Sequence, residues 1–297
     1  MWPPCLGRPR RYRFRLPPRA PTQGRPYRVC AGPGSPLRVR PRLVHNGGLM
    51  NAVLPAVLLA LALVSPAAAV EETFDLEPFG AVTLYHQTAR PPHVALFISG
   101  DGGWKLGVVD MARELAGMDA LVAGVDIRHY MKASTADPDK CWDPGSDFAE
   151  LSRAIERRLG YTSHVPPVLV GYSSGATIVY AAMVQAPPRT YRGGLSLGFC
   201  PDLIVNHPIC KGRGLAWTHD KEGKGVDFSP AGVLEDPWLA FQGDIDQICT
   251  PEDTRTYLSK VPHGELVWLH KVGHGFSVPK NWMRQFKDGF AEVTGQR

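Results

Sequence analysis

The segment Gly171-Tyr-Ser-Ser-Gly175 constrains the fold more than any other part of the chain. The apolar residues 165–170 before it predict a buried strand, and the alanine-rich residues 176–186 after it predict a buried helix. Gly-x-Ser-x-Gly between a strand and a helix is typical of a tight turn that exposes the central serine. The two glycines are needed because side chains there would collide with the strand and the helix. Ser173 is therefore the candidate nucleophile.

Strand and helix patterns alternate on both sides of this turn, over most of residues 73–293. Continuous apolar runs are typical of strands buried on both faces of a sheet. The alternation predicts an α/β fold with a mainly parallel sheet flanked by helices on both faces. The predicted strands are 73–76, 82–86, 94–98, 120–125, 165–170, 194–199, 238–242 and 265–270, and the predicted helices are 108–116, 147–159, 176–186, 251–260 and 279–293. We expect 130–145 to be a loop and 200–235 to be an insertion over the site.

The first 69 residues have a different composition. Residues 1–49 hold 11 Arg and 10 Pro but no Asp, Glu or Lys, a composition that cannot build a core. Residues 54–64 are almost wholly apolar, too few to span a bilayer, and small residues follow up to Ala69. This pattern predicts a signal peptide over 50–69 and an exported domain over 70–297. We expect translation to start at Met50; the alternative is that 1–49 is a basic arm that binds nucleic acid or anionic lipid.

The charge balance changes when that leader is removed. The whole chain carries 33 basic and 28 acidic residues, a net charge of +5. The leader holds 11 of the basic residues and no acidic ones, which leaves 22 against 28, or −6. An acidic domain gives no support for nucleic-acid binding.

Four cysteines remain in the predicted domain: Cys141, Cys200, Cys210 and Cys249. An even number in an exported chain predicts two disulfides, with free buried thiols as the alternative. Three pairings are possible, and the sequence does not choose among them. Cys200 and Cys210 are close enough in sequence to close a local loop, which would leave Cys141 to pair with Cys249.

A serine nucleophile needs a base and an acid that orients the base. In this kind of fold the order along the chain is serine, acid, histidine. Gly243-Asp-Ile-Asp246 and Gly273-His274 each follow a predicted strand, where the active sites of open parallel sheets lie. Asp246 is the candidate acid, Asp244 is its rival, and His274 is the candidate base. We expect no metal and no cofactor.

Two backbone amides are needed to stabilise an oxyanion. One is expected from Ser174, directly after the nucleophile, and the other from Asp101 or Gly102 in the glycine-rich turn after 94–98. An ordinary glycine-rich turn is the alternative. Trp104 either lines the substrate pocket or belongs to the core.

Three stretches together resemble the VirJ/AcvB family of bacterial periplasmic virulence proteins: Ser99-Gly-Asp-Gly-Gly-Trp104, Gly124-Val-Asp126 and Gly171-Tyr-Ser-Ser-Gly175. The first stretch is the specific one, and the similarity covers roughly 94–290. The resemblance implies an α/β-hydrolase fold, a periplasmic location and cleavage of the aminoacyl ester of aminoacyl-phosphatidylglycerol, notably the lysyl lipid. It also implies a link to type IV secretion and virulence.

Two classes of function remain open at this point. One is a serine esterase acting on aminoacylated phospholipid at the membrane surface, or more generally an exported esterase. The other is a non-catalytic periplasmic protein that contacts secretion-system components. For the esterase, Asp101, Asp244 and Glu252 are candidate partners of the substrate ammonium; Asp101 is the best placed of them, and the alternative is that it shapes its own turn.

Overall fold

The computed structural model describes residues 70–296, in which eight strands form one sheet. The sheet order is β1-β2-β4-β3-β5-β6-β10-β11, and the last six strands in this order are mutually parallel. The first two form an antiparallel hairpin at one edge. The bounds are β1 (Val70–Leu76), β2 (Gly80–His86), β3 (His93–Ile98), β4 (Ala120–Val125), β5 (Val168–Tyr172), β6 (Gly193–Leu197), β10 (Trp238–Gly243) and β11 (Gly264–Leu269).

Helices cover both faces of this sheet, as the alternating pattern predicts. Successive side chains of each strand point to opposite faces; Leu96 of β3 packs on one face, and Phe97 packs on the other. The first face is covered by α2 (Ile127–Ser134), α3 (Pro144–Leu159), α4 (Ser174–Gln185) and α5 (Pro251–Leu258), and the second by α1 (Val109–Ala116) and α6 (Met283–Thr294). No helix among residues 70–296 is long and apolar enough to cross a membrane.

Residues 130–145 were expected to be a loop, and this prediction is wrong at both ends. Helix α2 begins after Asp126, which caps it by accepting a hydrogen bond from the Arg128 amide at 3.0 Å, and it extends to Ser134. At the other end, α3 begins at Pro144, where proline fits the first helical turn and Asp143 accepts from the Ser146 amide. The polar composition of 130–145 conceals the end of α2 and the Asp143 cap.

The insertion at 200–235 contains a small antiparallel sheet rather than an irregular loop. Its strands are β7 (Asp202–Leu203), β8 (Trp217–His219) and β9 (Val226–Phe228), in the order β7-β9-β8. The strands are two or three residues long, too short to show a periodic pattern. The predicted leader 1–49 and signal peptide 50–69 lie outside the described residues.

The suggested local disulfide between Cys200 and Cys210 is wrong. The structure pairs Cys141 with Cys210 and Cys200 with Cys249. Cys200 and Cys249 follow β6 and β10, which are neighbours in the sheet, so the ends of these strands bring the two cysteines together. Cys141 meets Cys210 because the adjoining backbone is paired: the Cys210 amide donates to the Trp142 carbonyl at 2.9 Å.

Candidate active site

Ser173 lies at the tip of the turn between β5 and α4, in a strained conformation. Its φ is +55° and its ψ is −127°, which is rare for a residue with a side chain. The glycines explain how the turn closes so tightly. A Cβ at Gly171 would lie 2.2 Å from the Gly175 carbonyl oxygen, and one at Gly175 would lie 2.4 Å from the Ile98 carbonyl oxygen. The sharp turn that the sequence predicts is therefore present.

The structure brings Ser173, His274 and Asp246 into one hydrogen-bonded chain. Ser173 Oγ lies 2.9 Å from His274 Nε2, and His274 Nδ1 lies 2.9 Å from Asp246 Oδ2. A carboxylate only accepts, so Nδ1 carries the proton. In the neutral imidazole, Nε2 is then left to accept the proton of the Ser173 hydroxyl. This is the arrangement needed to activate a serine for acyl transfer.

The Asp246 carboxylate is buried and fully engaged. Oδ1 accepts from the amides of Ile248 and Cys249 at 2.8 and 3.0 Å, and Oδ2 accepts from His274 and, at 3.3 Å, from Gln242 Nε2. Burial acts to raise the pKa of Asp246, but the hydrogen bonds from His274 and the amides outweigh it, so the pKa is lowered. Asp246 therefore stays ionised and able to orient His274.

Asp244, the rival acid, has a different partner. Its carboxylate lies 2.7 Å from Nδ1 of the exposed His270, and it also accepts from the Lys271 amide at 2.7 Å. These contacts separate it from His274, although it is only two residues from Asp246. They also occupy the carboxylate, so Asp244 does not fit the expected role in binding a substrate ammonium.

The predicted oxyanion residues border Ser173 from two sides. Ser174 is the first residue of α4, whose N-terminal end favours negative charge. On the other side, Gly100 packs against the serine: a Cβ on Gly100 would lie 3.0 Å from Ser173 Cβ. Asp101 and Gly102 follow Gly100 in the same turn and are both exposed. The turn thus lies where a second amide is required.

Trp104 lies in the core, which favours a role in core packing over a role in lining the substrate pocket. Its indole is buried, donates from Nε1 to the Tyr85 hydroxyl at 3.1 Å, and packs edge-on against Phe97. It also fills the space over Gly124, where a Cβ would lie 2.0 Å from the indole ring. The expected role in lining the pocket is corrected accordingly: Trp104 packs in the core and anchors the turn at 99–103.

Two contacts that sequence reasoning missed hold this turn in place. Asp126 Oδ2 accepts from the Trp104 amide at 3.2 Å, and Ser99 Oγ accepts from the Ile127 amide at 3.1 Å. Hydrogen bonds from Arg128 to Asp126 keep the pKa of that carboxyl low despite its partial burial. These side chains tie the turn after β3 to the start of α2.

Two more side chains that the sequence analysis overlooked position Asp246 and His274. Gln242 is fully buried, and its Nε2 donates to the Cys249 carbonyl at 2.9 Å as well as to Asp246. Tyr172 donates its hydroxyl to the His274 carbonyl at 3.0 Å. A glutamine inside the apolar strand 238–242 was the available signal for the first, because a buried amide requires partners.

One group of metal-ligand residue types occurs within the described part of the chain. Asp246, Cys249 and His274 offer atoms within 4.8 Å of one another. Cys249, however, is bonded to Cys200 and supplies no thiolate, and Asp246 and His274 are already bonded to each other. The chemistry of this donor set does not fit a metal.

Comparison with known proteins finds a family match over part of the chain and a shared fold. Residues 92–194 match the family model described as bacterial virulence protein (VirJ). The match is shorter than the 94–290 expected; it includes all three resembling stretches and ends before Asp246 and His274. None of the curated proteins matches the sequence.

Two solved structures share the fold at low sequence identity. A CIB-like hydrolase from Thermoplasma acidophilum is 16% identical, with a TM-score of 0.50 over 76% of this chain and 99% of its own. A protein from Klebsiella pneumoniae subsp. pneumoniae, assigned as a dienelactone hydrolase, is 15% identical, with a TM-score of 0.53 over 77% of this chain and 100% of its own. The resemblance to the VirJ family is thus confirmed over residues 92–194, in a chain whose fold is that of the α/β hydrolases.

Proposed function

We propose that this protein is a periplasmic serine hydrolase that cleaves the aminoacyl ester of aminoacyl-phosphatidylglycerol, with Ser173, His274 and Asp246 as its catalytic residues. The observation that carries the proposal is the hydrogen-bonded chain from Ser173 Oγ through His274 to the buried Asp246 carboxylate. The two disulfides are compatible with export, and the VirJ match supports a virulence-related role, which we extend to a link with type IV secretion.

The proposed reaction has two steps. In the first, Ser173 Oγ attacks the ester carbonyl carbon while His274 Nε2 takes the hydroxyl proton. The bond from the carbonyl carbon to the glycerol oxygen breaks, His274 returns the proton to that oxygen, and phosphatidylglycerol leaves. In the second, a water oxygen attacks the carbonyl carbon of the aminoacyl ester on Ser173 while His274 Nε2 takes a proton from that water. The bond from the carbonyl carbon to Ser173 Oγ breaks, His274 returns the proton to Oγ, and the free amino acid leaves. The amides at Ser174 and in the turn at 100–102 would hold the oxyanion in both steps.

The substrate assignment draws support from the net charge of the predicted domain and from the exposed carboxylate of Asp101. The predicted domain has a net charge of −6, which favours a cationic aminoacyl group. Asp101 is exposed and makes no hydrogen bond or ion pair with the other described residues. The alternative in which it shapes its own turn therefore finds no support, and its carboxylate is open to a substrate ammonium.

The test is hydrolysis of lysyl-phosphatidylglycerol in detergent micelles by wild type and by Ser173→Ala. The variant should lose activity by several orders of magnitude, because the nucleophile is gone. Its free energy of unfolding should stay within about 1 kcal/mol of the wild-type value, since the change removes only one hydroxyl at a half-buried turn. Ser174→Ala, the neighbouring serine, is the matched control and should keep its activity.

Labelling by a fluorophosphonate separates a wrong substrate from a wrong mechanism. If Ser173 is labelled but lysyl-phosphatidylglycerol is not hydrolysed, the protein is a serine hydrolase and the proposed lipid substrate is wrong. An unlabelled, folded wild-type protein would discard the catalytic proposal and favour an interaction protein.

A further inference from the structure

Exposed aliphatic side chains surround the candidate nucleophile. Eight large apolar side chains are exposed among residues 70–296, and five of them lie in segments that follow the parallel strands. These five form what we call the aliphatic rim: Leu106 (68% exposed), Ile204 (79%), Ile245 (59%), Ile248 (70%) and Val278 (41%).

The sheet topology places the rim at the same edge as Ser173. Leu106 follows β3, Ile204 follows β6 and the short β7, Ile245 and Ile248 follow β10, and Val278 follows β11. These strands are parallel, so the segments after them emerge at one edge. Ser173 directly follows β5, which lies between β3 and β6, so it emerges at the same edge of the sheet as the rim residues.

The position of the rim decides what its occupant must be. A surface that covers these side chains also covers the mouth above Ser173, so a partner without substrate would block the enzyme. A lipid surface covers the rim and delivers an ester lipid to the nucleophile at once. The rim residues stand on four different loops at the edge of the sheet that carries Ser173. This arrangement suits insertion of individual side chains into a bilayer better than binding of a helix or strand in a groove.

Two lysines beside the rim complement such a surface. Lys105 adjoins Leu106, and Lys280 lies two residues after Val278; both are exposed, and neither takes part in an ion pair within the described residues. A lysine next to an inserted aliphatic side chain reaches the level of the lipid phosphates.

We propose that the aliphatic rim docks the protein onto an anionic lipid bilayer, with the mouth above Ser173 facing the membrane. This inference rests on the proposed function for the identity of the substrate, but docking itself does not require catalysis. The rim and the catalytic residues are therefore tested by separate measurements.

The experiment measures co-sedimentation with vesicles of phosphatidylcholine and phosphatidylglycerol. Wild type is compared with the triple variant Leu106→Ser, Ile204→Ser, Val278→Ser, and both are isolated as the exported protein, so that they share the same N-terminus. The triple variant should bind at least about 100-fold more weakly, because removing several inserted aliphatic side chains multiplies their individual effects. Val70→Ser, an exposed aliphatic residue at the opposite edge of the sheet, is the control and should bind like wild type.

Activity on a water-soluble ester separates the two proposals. Ser173→Ala should bind vesicles like wild type and hydrolyse nothing, whereas the triple variant should hydrolyse the soluble ester at the wild-type rate. Equal vesicle binding by wild type and the triple variant overturns the docking proposal and leaves the catalytic one intact. A third outcome is that wild type does not bind vesicles but self-associates, and that the triple variant does not self-associate. That outcome assigns the rim to a contact between copies of the chain and also overturns the docking proposal.

Discussion

His274 Nδ1 lies 2.9 Å from Oδ2 of Asp246. The two residues are 28 positions apart in the sequence and follow different strands, β11 and β10, which are neighbours in the sheet. The contact therefore exists only because the two strands pair in parallel and end at the same edge. Several predictions about catalysis and stability depend on it.

The acid can be assigned by comparing Asp246→Asn with Asp244→Asn. The first change leaves His274 Nδ1 facing an amide and favours the wrong tautomer, so kcat should fall by about 10⁴-fold. The second disrupts a pair with the exposed His270 and should change kcat by less than about tenfold. Steady-state kinetics on a soluble ester measures both. A larger loss in Asp244→Asn would exchange the two roles.

Acid unfolding should also report on Asp246. Because its folded-state pKa is lowered, its ionised form stabilises the folded protein above the ordinary aspartate pKa of about 4. That stabilisation is lost as the pH falls through the lowered folded-state value. The Tm of wild type should therefore decline more steeply below about pH 4 than the Tm of Asp246→Asn. Parallel Tm profiles for the two proteins would show that the carboxylate gains nothing from its partners.

The two disulfides should differ in their effect on catalysis. Replacing either pair by alanine should destabilise the protein by about 2–5 kcal/mol, because each bond restricts the unfolded chain. Only the double variant Cys200→Ala, Cys249→Ala should also lower kcat. Its disulfide holds in place the loop whose residue 249 amide donates to Asp246. Cys141→Ala with Cys210→Ala is the matched control. Mass spectrometry of the secreted protein that finds the pairs exchanged, or four free thiols, would refute the pairing.

Substrate preference should depend on Asp101. Lysyl-phosphatidylglycerol carries a side-chain ammonium that the alanyl lipid lacks. If Asp101 pairs with that ammonium, Asp101→Asn should lose the preference for the lysyl lipid by about tenfold and retain alanyl turnover. Competition between the two lipids in mixed micelles measures the preference. Equal losses on both lipids would instead assign Asp101 to the turn or to the shared α-amino group.

Features that depend on neighbours in the sequence could be predicted without the structure. The turn around Ser173, the alternation of strands and helices, and the order serine, acid, histidine are all local patterns or their succession. Helix α2 is a local feature that the sequence analysis missed, because its second half lies in the polar segment 130–145, which resembles a loop.

Features that depend on which segments meet in space were decided only by the tertiary structure. Cys200 pairs with Cys249 because β6 lies beside β10, although Cys210 is far closer along the chain. Asp246 rather than Asp244 reaches His274 because the loop after β10 turns one carboxylate inward and the other toward His270. Trp104 is buried because Gly124 leaves room for it on the adjacent strand. In each case sequence supplied the candidates, and the packing of the sheet selected among them.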